Sequence, residues 1–237
     1  MTPTLSTTGL VLHTTAYSDT SVIAKIFTRE LGVRSYILKG VRKSGSRTKQ
    51  NLLQPLTHLD LVVYDNPKAS INYLKEIVPH SANANIESTP INNALRFFMT
   101  ELLYKTLREE EPMPQLFDYV AQAIPTHIDN VANLPITFLL TVSRHLGIEP
   151  LDNYSSREPI FDLRGGRFSY SAESSLPSQS SMLLHYYLQF LHDNAPCPMA
   201  TLAQRNELVN NLLEYYQLHL AEFRNFKSHE ILHTVLQ

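Results

Sequence analysis

Residues 33–54 read VRSYILKGVRKSGSRTKQNLLQ, a basic segment set between two apolar runs, and this arrangement decides the fold of the first third of the chain. Between Glu30 and Asp60 there is no acidic residue. Six basic residues occupy that interval: Arg34, Lys39, Arg42, Lys43, Arg47 and Lys49. The centre, KGVRKSGSRTKQ, is rich in Gly and Ser, so we expect a mobile loop held by strands at both ends. Such a one-signed loop is typical of a surface that binds a polyanion.

Short runs of alternating apolar and polar residues lie on both sides of this loop. They predict five strands, at residues 6–14, 21–28, 33–40, 56–65 and 69–79. Five short strands joined by turns and one longer loop favour a small closed antiparallel barrel. An SH3-like barrel has a similar strand count, so periodicity leaves that choice open. A long loop between the third and fourth strands is common in oligonucleotide-binding (OB) barrels.

The hydrophobic period becomes helical after Pro79. The predicted helices cover residues 91–107, about 114–124, about 134–146, 180–192 and 202–223. Ser88-Thr89-Pro90 predicts the start of the first of these helices, as an N-cap followed by Pro in the first turn. Within residues 150–178, the pair Gly165-Gly166 between alternating flanks predicts a hairpin with a two-residue turn. We therefore predict an α+β protein with an OB domain at residues 1–80. An all-helical domain follows at residues 81–237, with the hairpin insert at about 150–178.

Charge is unevenly distributed along the chain. Residues 1–80 carry ten Lys/Arg against five Asp/Glu, whereas residues 81–237 carry ten against seventeen. The first segment is therefore the one expected to meet nucleic acid.

The single cysteine, Cys197, excludes an internal disulfide and a four-thiolate zinc site. The first residues, MTPTLSTTG, lack the pattern of a signal peptide and no apolar run is long enough to span a membrane, so we expect a cytoplasmic protein.

Patterns typical of catalysis are missing from the sequence. The ten histidines form no HExxH motif, and no GxSxG or GxxxxGK sequence occurs. His229 and His233 are four residues apart, but we interpret them as surface histidines rather than metal ligands. We predict no catalytic residue, no metal and no cofactor.

Two kinds of residue on the predicted strands support nucleic-acid binding by the basic loop. Lys25 and Lys75 add positive charge, and Tyr36, Tyr64 and Tyr73 are possible platforms on which unpaired bases stack. In the helical half, the aromatic residues occur mostly as adjacent pairs and include Phe138. One of them left exposed beside Arg96 or Arg144 would make a small groove for an apolar, acidic peptide of a protein partner.

The stretch from about Gly9 to Pro79 also resembles the bacterial RecO recombination-mediator family. The resemblance is carried by YSDTS at the first turn, FTRELG at the hairpin, KGVR opening the basic loop and LLQPLT closing it. It continues more weakly through ELLYKTLREEEPMPQLFDYV and RHLGIEP.

This resemblance implies an OB barrel followed by a helical domain. It implies binding of single- and double-stranded DNA, annealing of complementary strands, and cooperation with RecR to load recombinase on DNA coated by single-stranded DNA-binding protein (SSB). The matched motifs assign the DNA-binding role to Arg34, Lys39, Arg42, Lys43 and Arg47. Lys49 is added from charge alone, and Lys25 and Tyr36 from their strands.

Two departures from the family pattern bear on the helical domain. Many members carry a four-cysteine zinc module after the LGxxP helix end, but LDNYSSREPIFDLRGGRFSY contains no cysteine. We predict a metal-free hairpin closed by apolar packing of Leu151, Tyr154, Ile160, Phe161 and Phe168. In some members the helical domain receives the acidic SSB tail; the matching arginines are missing here, and Arg144 is the candidate substitute.

Alternative functions remain open on the residues alone. Nothing in the loop distinguishes ribose from deoxyribose, so an RNA-binding OB protein is one alternative. A protein adaptor whose basic loop binds an acidic partner is another. An enzyme is a distant third, because the sequence offers no residues for it.

Overall fold

The computed structural model describes residues 4–41, 51–64, 66, 69–85, 88–124, 131–193 and 195–236. Its contacts divide the chain into two compact units, residues 1–127 and residues 128–237. In the described part of the chain, no helix is both long and apolar enough to cross a membrane.

Five strands open the first unit, in the order in which the sequence predicts them. They are β1 (Thr4–Ala16), β2 (Val22–Thr28), β3 (Gly32–Leu38), β4 (His58–Tyr64) and β5 (Asn72–Pro79). They form a closed barrel with the neighbour order β1-β2-β3-β5-β4. Consecutive pairs are antiparallel, whereas β3 and β5 run parallel. The non-sequential β3–β5 pair decides for the OB barrel over the SH3-like alternative.

The barrel closes because each strand alternates an inward apolar side chain with an outward one. The inward set forms one core: Val11, Val22, Ala24, Ile26, Tyr36, Leu38, Val41, Leu59, Leu61 and Val63. Leu74 and Ile77 of β5 pack against this core while staying partly exposed. The apolar side chains of β5 are therefore less completely buried than those of the core cluster.

Two helices follow the barrel within the first unit, α1 (Pro90–Thr106) and α2 (Pro114–Ala123). The Thr89 hydroxyl caps α1 by accepting a hydrogen bond from the Asn92 amide, as the Ser-Thr-Pro sequence predicts. Arg29 fixes α2 to the barrel through two hydrogen bonds to Asp118, Nε to Oδ1 at 2.8 Å and Nη2 to Oδ2 at 2.9 Å. The secondary structure changes from strand to helix near residue 80, but contacts group α1 and α2 with the barrel; the domain boundary at 80/81 stays a prediction.

The second unit is mainly helical. Its helices are α3 (Leu134–His145), α4 (Ser178–Asp193), α5 (Leu202–His219) and α6 (Ser228–Val235). A capping box closes the start of α5, with Thr201 and Gln204 each bonding the other's backbone amide. The predicted helix 202–223 ends earlier, at His219, and α6 follows separately. An α+β fold with a barrel and a helical region is confirmed.

The predicted hairpin is present as β6 (Ile160–Asp162) and β7 (Arg167–Ser169). Its turn was predicted wrongly, because four residues separate the paired Asp162 and Arg167, and Leu163 among them is buried. Leu151 does not belong to the closing cluster either, since it is 59% exposed.

Phe161 and Phe168 are buried and pack edge to face at 5.1 Å. The Asn153 amide group closes the hairpin from the side: its Nδ2 donates to the Phe168 carbonyl at 2.9 Å, and its Oδ1 accepts from the Phe168 amide at 2.8 Å. The two hydrogen bonds of Asn153 and the packing of the two aromatic rings therefore stabilise this hairpin.

Candidate nucleic-acid interface

β3 and β5 pair over a short length, and a groove lies beside this pairing. These strands pair only at Tyr36–Asn72 and Ile37–Tyr73, and beyond those pairs a cavity of about 390 Å³ lies between them. We name it the β3–β5 groove. It is lined by Ile37, Leu38, Lys39, Val41, Leu52, Tyr64, Tyr73, Leu74, Lys75, Glu76 and Ile77. Its floor is apolar, because Leu38 and Val41 are 7% and 3% exposed and belong to the barrel core.

Aromatic rings and ammonium groups stand at the rim of this groove. Tyr73 is 51% exposed and Tyr64 is 38% exposed. The Lys39 Nζ lies 5.3 Å from the centre of the Tyr73 ring, a cation–π distance. Lys75 is exposed on β5 beside them. Tyr64 ends β4 and Tyr73 lies near the start of β5, so both flank the β4–β5 connection, which OB barrels use to bind oligonucleotides.

The basic segment is joined to the groove at both ends. Val41 precedes it and Leu52 follows it, and both side chains line the groove. Four of the predicted DNA-binding residues lie outside the described residues: Arg42, Lys43, Arg47 and Lys49. Their role stays a prediction, but the described ends of the segment lie beside Lys39 and Tyr73.

Lys25 and Arg34 lie elsewhere on the barrel, against acidic residues that follow α1. Lys25 Nζ is 2.7 Å from a carboxylate oxygen of Glu109, and Arg34 Nη1 is 2.9 Å from one of Glu110. The side chain of Arg34 is only 11% exposed. The predicted DNA-binding role of these two residues is untested, but in this structure each has an intramolecular counter-ion.

These acidic residues belong to the segment 109–111, which we name the acidic segment, and backbone contacts hold it against β3. Glu109 forms a parallel bridge with Val33, and the Glu110 amide donates to the Val33 carbonyl at 3.0 Å. The segment thus continues the barrel beside the start of β3, where β5 does not reach. Sequence reasoning missed this contact because Arg34 and Glu110 are 76 residues apart and no local pattern links them.

Tyr36 was predicted wrongly as a stacking platform. It is 1% exposed and belongs to the barrel core. The signal was available, because Tyr36 lies two residues before buried Leu38 on the same strand and therefore points to the same face. Tyr64 and Tyr73, named with Tyr36 as possible platforms, are the exposed ones.

The two residues of the predicted partner site in the second unit differ in exposure. Phe138 is fully buried inside the unit, so its predicted role in binding a partner is wrong. Arg144 is exposed, but its Nε donates to Glu149 at 2.9 Å and its Nη2 lies 2.9 Å from the His192 ring. Arg144 thus already has two partners within the second unit.

Metal ligands do not cluster in the parts of the chain that the structure describes, where no group of three or more His, Cys, Asp or Glu side chains could hold an ion. His229 and His233 are half-buried rather than surface residues, with ring centres 5.6 Å apart. The pKa of His233 lies below its ordinary value because burial disfavours the charged form and His229 is adjacent.

Comparisons with known proteins match the whole chain. The family model described as "Recombination protein O N terminal" matches residues 1–82, and "Recombination protein O C terminal" matches residues 87–229. A protein named DNA repair protein RecO from Porphyromonas gingivalis is 31% identical and covers 96% of this chain and 97% of its own. Proteins of the same name from Bacteroides fragilis and Christiangramia forsetii are 30% and 29% identical. The first covers 95% of this chain and 96% of its own, and the second covers 98% of each.

Proposed function

The chain belongs to the RecO family, and we propose that it is a DNA repair and recombination mediator that binds single- and double-stranded DNA. One observation carries the DNA-binding part. Exposed Lys39 and Tyr73 lie at the rim of a groove from which both ends of a strongly basic segment depart. Cations on such a segment displace the counterions condensed on the DNA phosphates, and unpaired bases stack on tyrosine rings.

We propose that strand annealing follows from the same chemistry, and we take recombinase loading from the family resemblance. Cations that screen two phosphate backbones let complementary strands approach, and exposed rings hold bases unpaired until they meet their complements. Neither step needs nucleotide hydrolysis, so we propose that the protein acts without catalytic residues. Its DNA partner assigns it to the bacterial nucleoid.

The proposed protein partners rest on the family resemblance. They are RecR, with which the protein would load recombinase onto SSB-coated DNA, and SSB, which would bind through its acidic tail. Arg144 supports a tail site, because an acidic peptide could replace the carboxylate of Glu149 as its partner. Phe138 does not support a tail site, because it is buried.

The test is fluorescence anisotropy of a labelled single-stranded oligonucleotide, titrated across salt concentrations. With five or six phosphate contacts, the logarithm of the binding constant should fall with the logarithm of salt with a slope of roughly −3 to −5. Replacing Arg42, Lys43 and Arg47 by alanine should reduce the magnitude of that slope by about 2 on single strands.

A matched control removes three exposed arginines from the second unit, Arg157, Arg164 and Arg167. This control should leave the slope unchanged although the net charge falls equally. If the chain does not bind DNA at low salt, or if both triple variants bind like the native chain, DNA binding by the basic segment is wrong. Preferential binding to RNA of the same sequence, or to an acidic protein only, would favour the two alternative functions instead.

A further inference from the structure

We propose that the β3–β5 groove is a pocket for one unpaired nucleobase, which stacks on Tyr73 while Lys39 moves from the ring to the adjacent phosphate. This inference rests on the proposed DNA-binding function and adds to it a defined base site. It predicts that single strands are distinguished from duplexes at a single tyrosine. The predicted loop cations have no such preference, because phosphates occur in both forms.

The size and lining of the groove suit a small, partly apolar ligand. Its volume of about 390 Å³ lies near the lower end of the range for small-molecule pockets, roughly 300–1,000 Å³. Leu38, Val41 and Leu74 provide an apolar floor. A polar group occurs at the rim, where Glu76 of β5 could meet the polar edge of a base.

Tyr73 offers the stacking surface. It is half exposed although it stands on a barrel strand, and the Lys39 ammonium group covers its face at 5.3 Å. A cation–π contact at an exposed site is weaker than the stacking of a base on an aromatic side chain. A nucleotide therefore forms two favourable contacts when it binds. Its base replaces the ammonium group on the ring, and its phosphate takes that ammonium group as a counter-ion.

Charge decides between a nucleotide and an apolar protein side chain as the occupant. Lys39 and Lys75 outnumber Glu76 among the charged residues that line the groove. Within the described residues neither lysine forms an ion pair, in contrast to Lys25 and Arg34. The segment that joins Val41 to Leu52 adds four cations and no acidic residue. A polyanion that carries flat aromatic groups fits this setting best.

The experiment compares Tyr73→Leu and Tyr73→Phe with the native chain, using a labelled oligothymidylate and a labelled duplex. Tyr73→Leu should weaken binding of the single strand about 5- to 100-fold, the range for loss of one stacked base. The salt slope should not change, because no phosphate contact is removed. Duplex binding should not change either, because paired bases stay in their own stack. Tyr73→Phe keeps the ring and should bind like the native chain.

Two controls complete the design. Tyr170→Leu removes a tyrosine that is 83% exposed in the second unit and should have no effect on binding. An oligonucleotide with abasic sites in place of bases should bind the native chain more weakly, and Tyr73→Leu should then cause no further loss. Circular dichroism establishes that each variant is folded.

The outcomes separate this inference from the function on which it rests. If the native chain binds DNA with a steep salt slope but Tyr73→Leu binds the single strand equally well, the base pocket is overturned and DNA binding stands. The base pocket is also overturned if Tyr73→Leu weakens single strand and duplex alike, or if Tyr73→Phe loses as much affinity as Tyr73→Leu. If the native chain binds no DNA, the proposed function itself fails.

Discussion

Two sets of cations on the same barrel differ in what surrounds them. Lys25 and Arg34 lie within 3 Å of the carboxylates of Glu109 and Glu110, whereas Lys39 and Lys75 lie at the β3–β5 groove and form no ion pair within the described residues. The sequence assigns the same charge to all four. Among the described residues, the segment after α1 forms ion pairs with the first set and not with the second, so we propose that pairing rather than charge count defines the DNA-binding face.

The largest expected effect comes from separating the acidic segment from the barrel at Gly32. This glycine has a φ of +68°, and a Cβ there would lie 2.4 Å from the carbonyl oxygen of Glu111. Gly32→Ala should lower the free energy of unfolding by about 3 to 4 kcal/mol, since a left-handed conformation and an overlap with backbone are both costly. Urea unfolding followed by circular dichroism measures this loss.

Gly147→Ala is the matched control. Gly147 has a similar φ of +73°, but a Cβ there meets nothing within 4 Å. Its cost should be only about 1 to 2 kcal/mol, from the backbone conformation alone. Equal losses at the two glycines would mean that the acidic segment is not packed tightly against the β2–β3 turn.

His58 extends the comparison to a titratable group that burial keeps neutral in the folded protein. It is buried, and its ring stacks on His80 with centres 4.0 Å apart. Burial, and secondarily the neighbouring His80, lowers the pKa of His58 to about 4, and Asp60 offsets this only in part. The unfolded chain therefore binds an extra proton between pH 6.5 and pH 4, so stability should fall as the pH decreases through that window.

The expected loss from this one group is about 3 kcal/mol, from the size of the pKa shift. Chemical unfolding at a series of pH values should show it. In His58→Phe, which keeps a flat ring but cannot be protonated, the decrease between pH 6.5 and pH 4 should be smaller by that amount. An identical pH dependence in both proteins would mean that His58 is protonated as readily in the folded state as in the unfolded state.

A smaller effect is expected when the counter-ions of the paired set are removed. Glu109→Gln/Glu110→Gln keeps the shape of the segment but leaves Lys25 and Arg34 without carboxylates. Affinity for single-stranded DNA at low salt should rise about 3- to 10-fold, because the two cations become available to phosphates. The stability change should be small, about 1 kcal/mol, because both carboxylates are about half exposed.

Glu173→Gln/Glu222→Gln is the control for net charge. It removes two exposed acidic residues from the second unit and should leave DNA affinity unchanged. If both double variants gain affinity equally, overall charge rather than local pairing would govern DNA binding, and the distinction between the two sets of cations would disappear.

Sequence reasoning succeeded where the signal is local. Strand alternation predicted the five barrel strands, and Ser-Thr-Pro predicted the start of α1, because side-chain period and capping depend on neighbouring residues. The inward position of Tyr36 follows from the same alternation, so that error was avoidable.

The remaining features depend on contacts between distant residues. Glu110 reaches Arg34 across 76 positions, and Asp118 reaches Arg29 across 89. The β3–β5 groove exists because the two strands pair at only two positions. The sequences of the strands do not indicate how far the pairing extends. The burial of Phe138 likewise depends on how the helices of the second unit pack.

The most direct measurement compares the salt dependence of single-stranded DNA binding by Lys39→Ala/Lys75→Ala and by Lys25→Ala/Arg34→Ala. Both variants lose two positive charges from the same barrel. We expect the first to reduce the magnitude of the slope by about 1.4, equivalent to two phosphate contacts, and the second to leave it unchanged. If the second variant reduces the slope as much as the first, or more, the acid-paired face binds DNA and the account given for the groove is wrong.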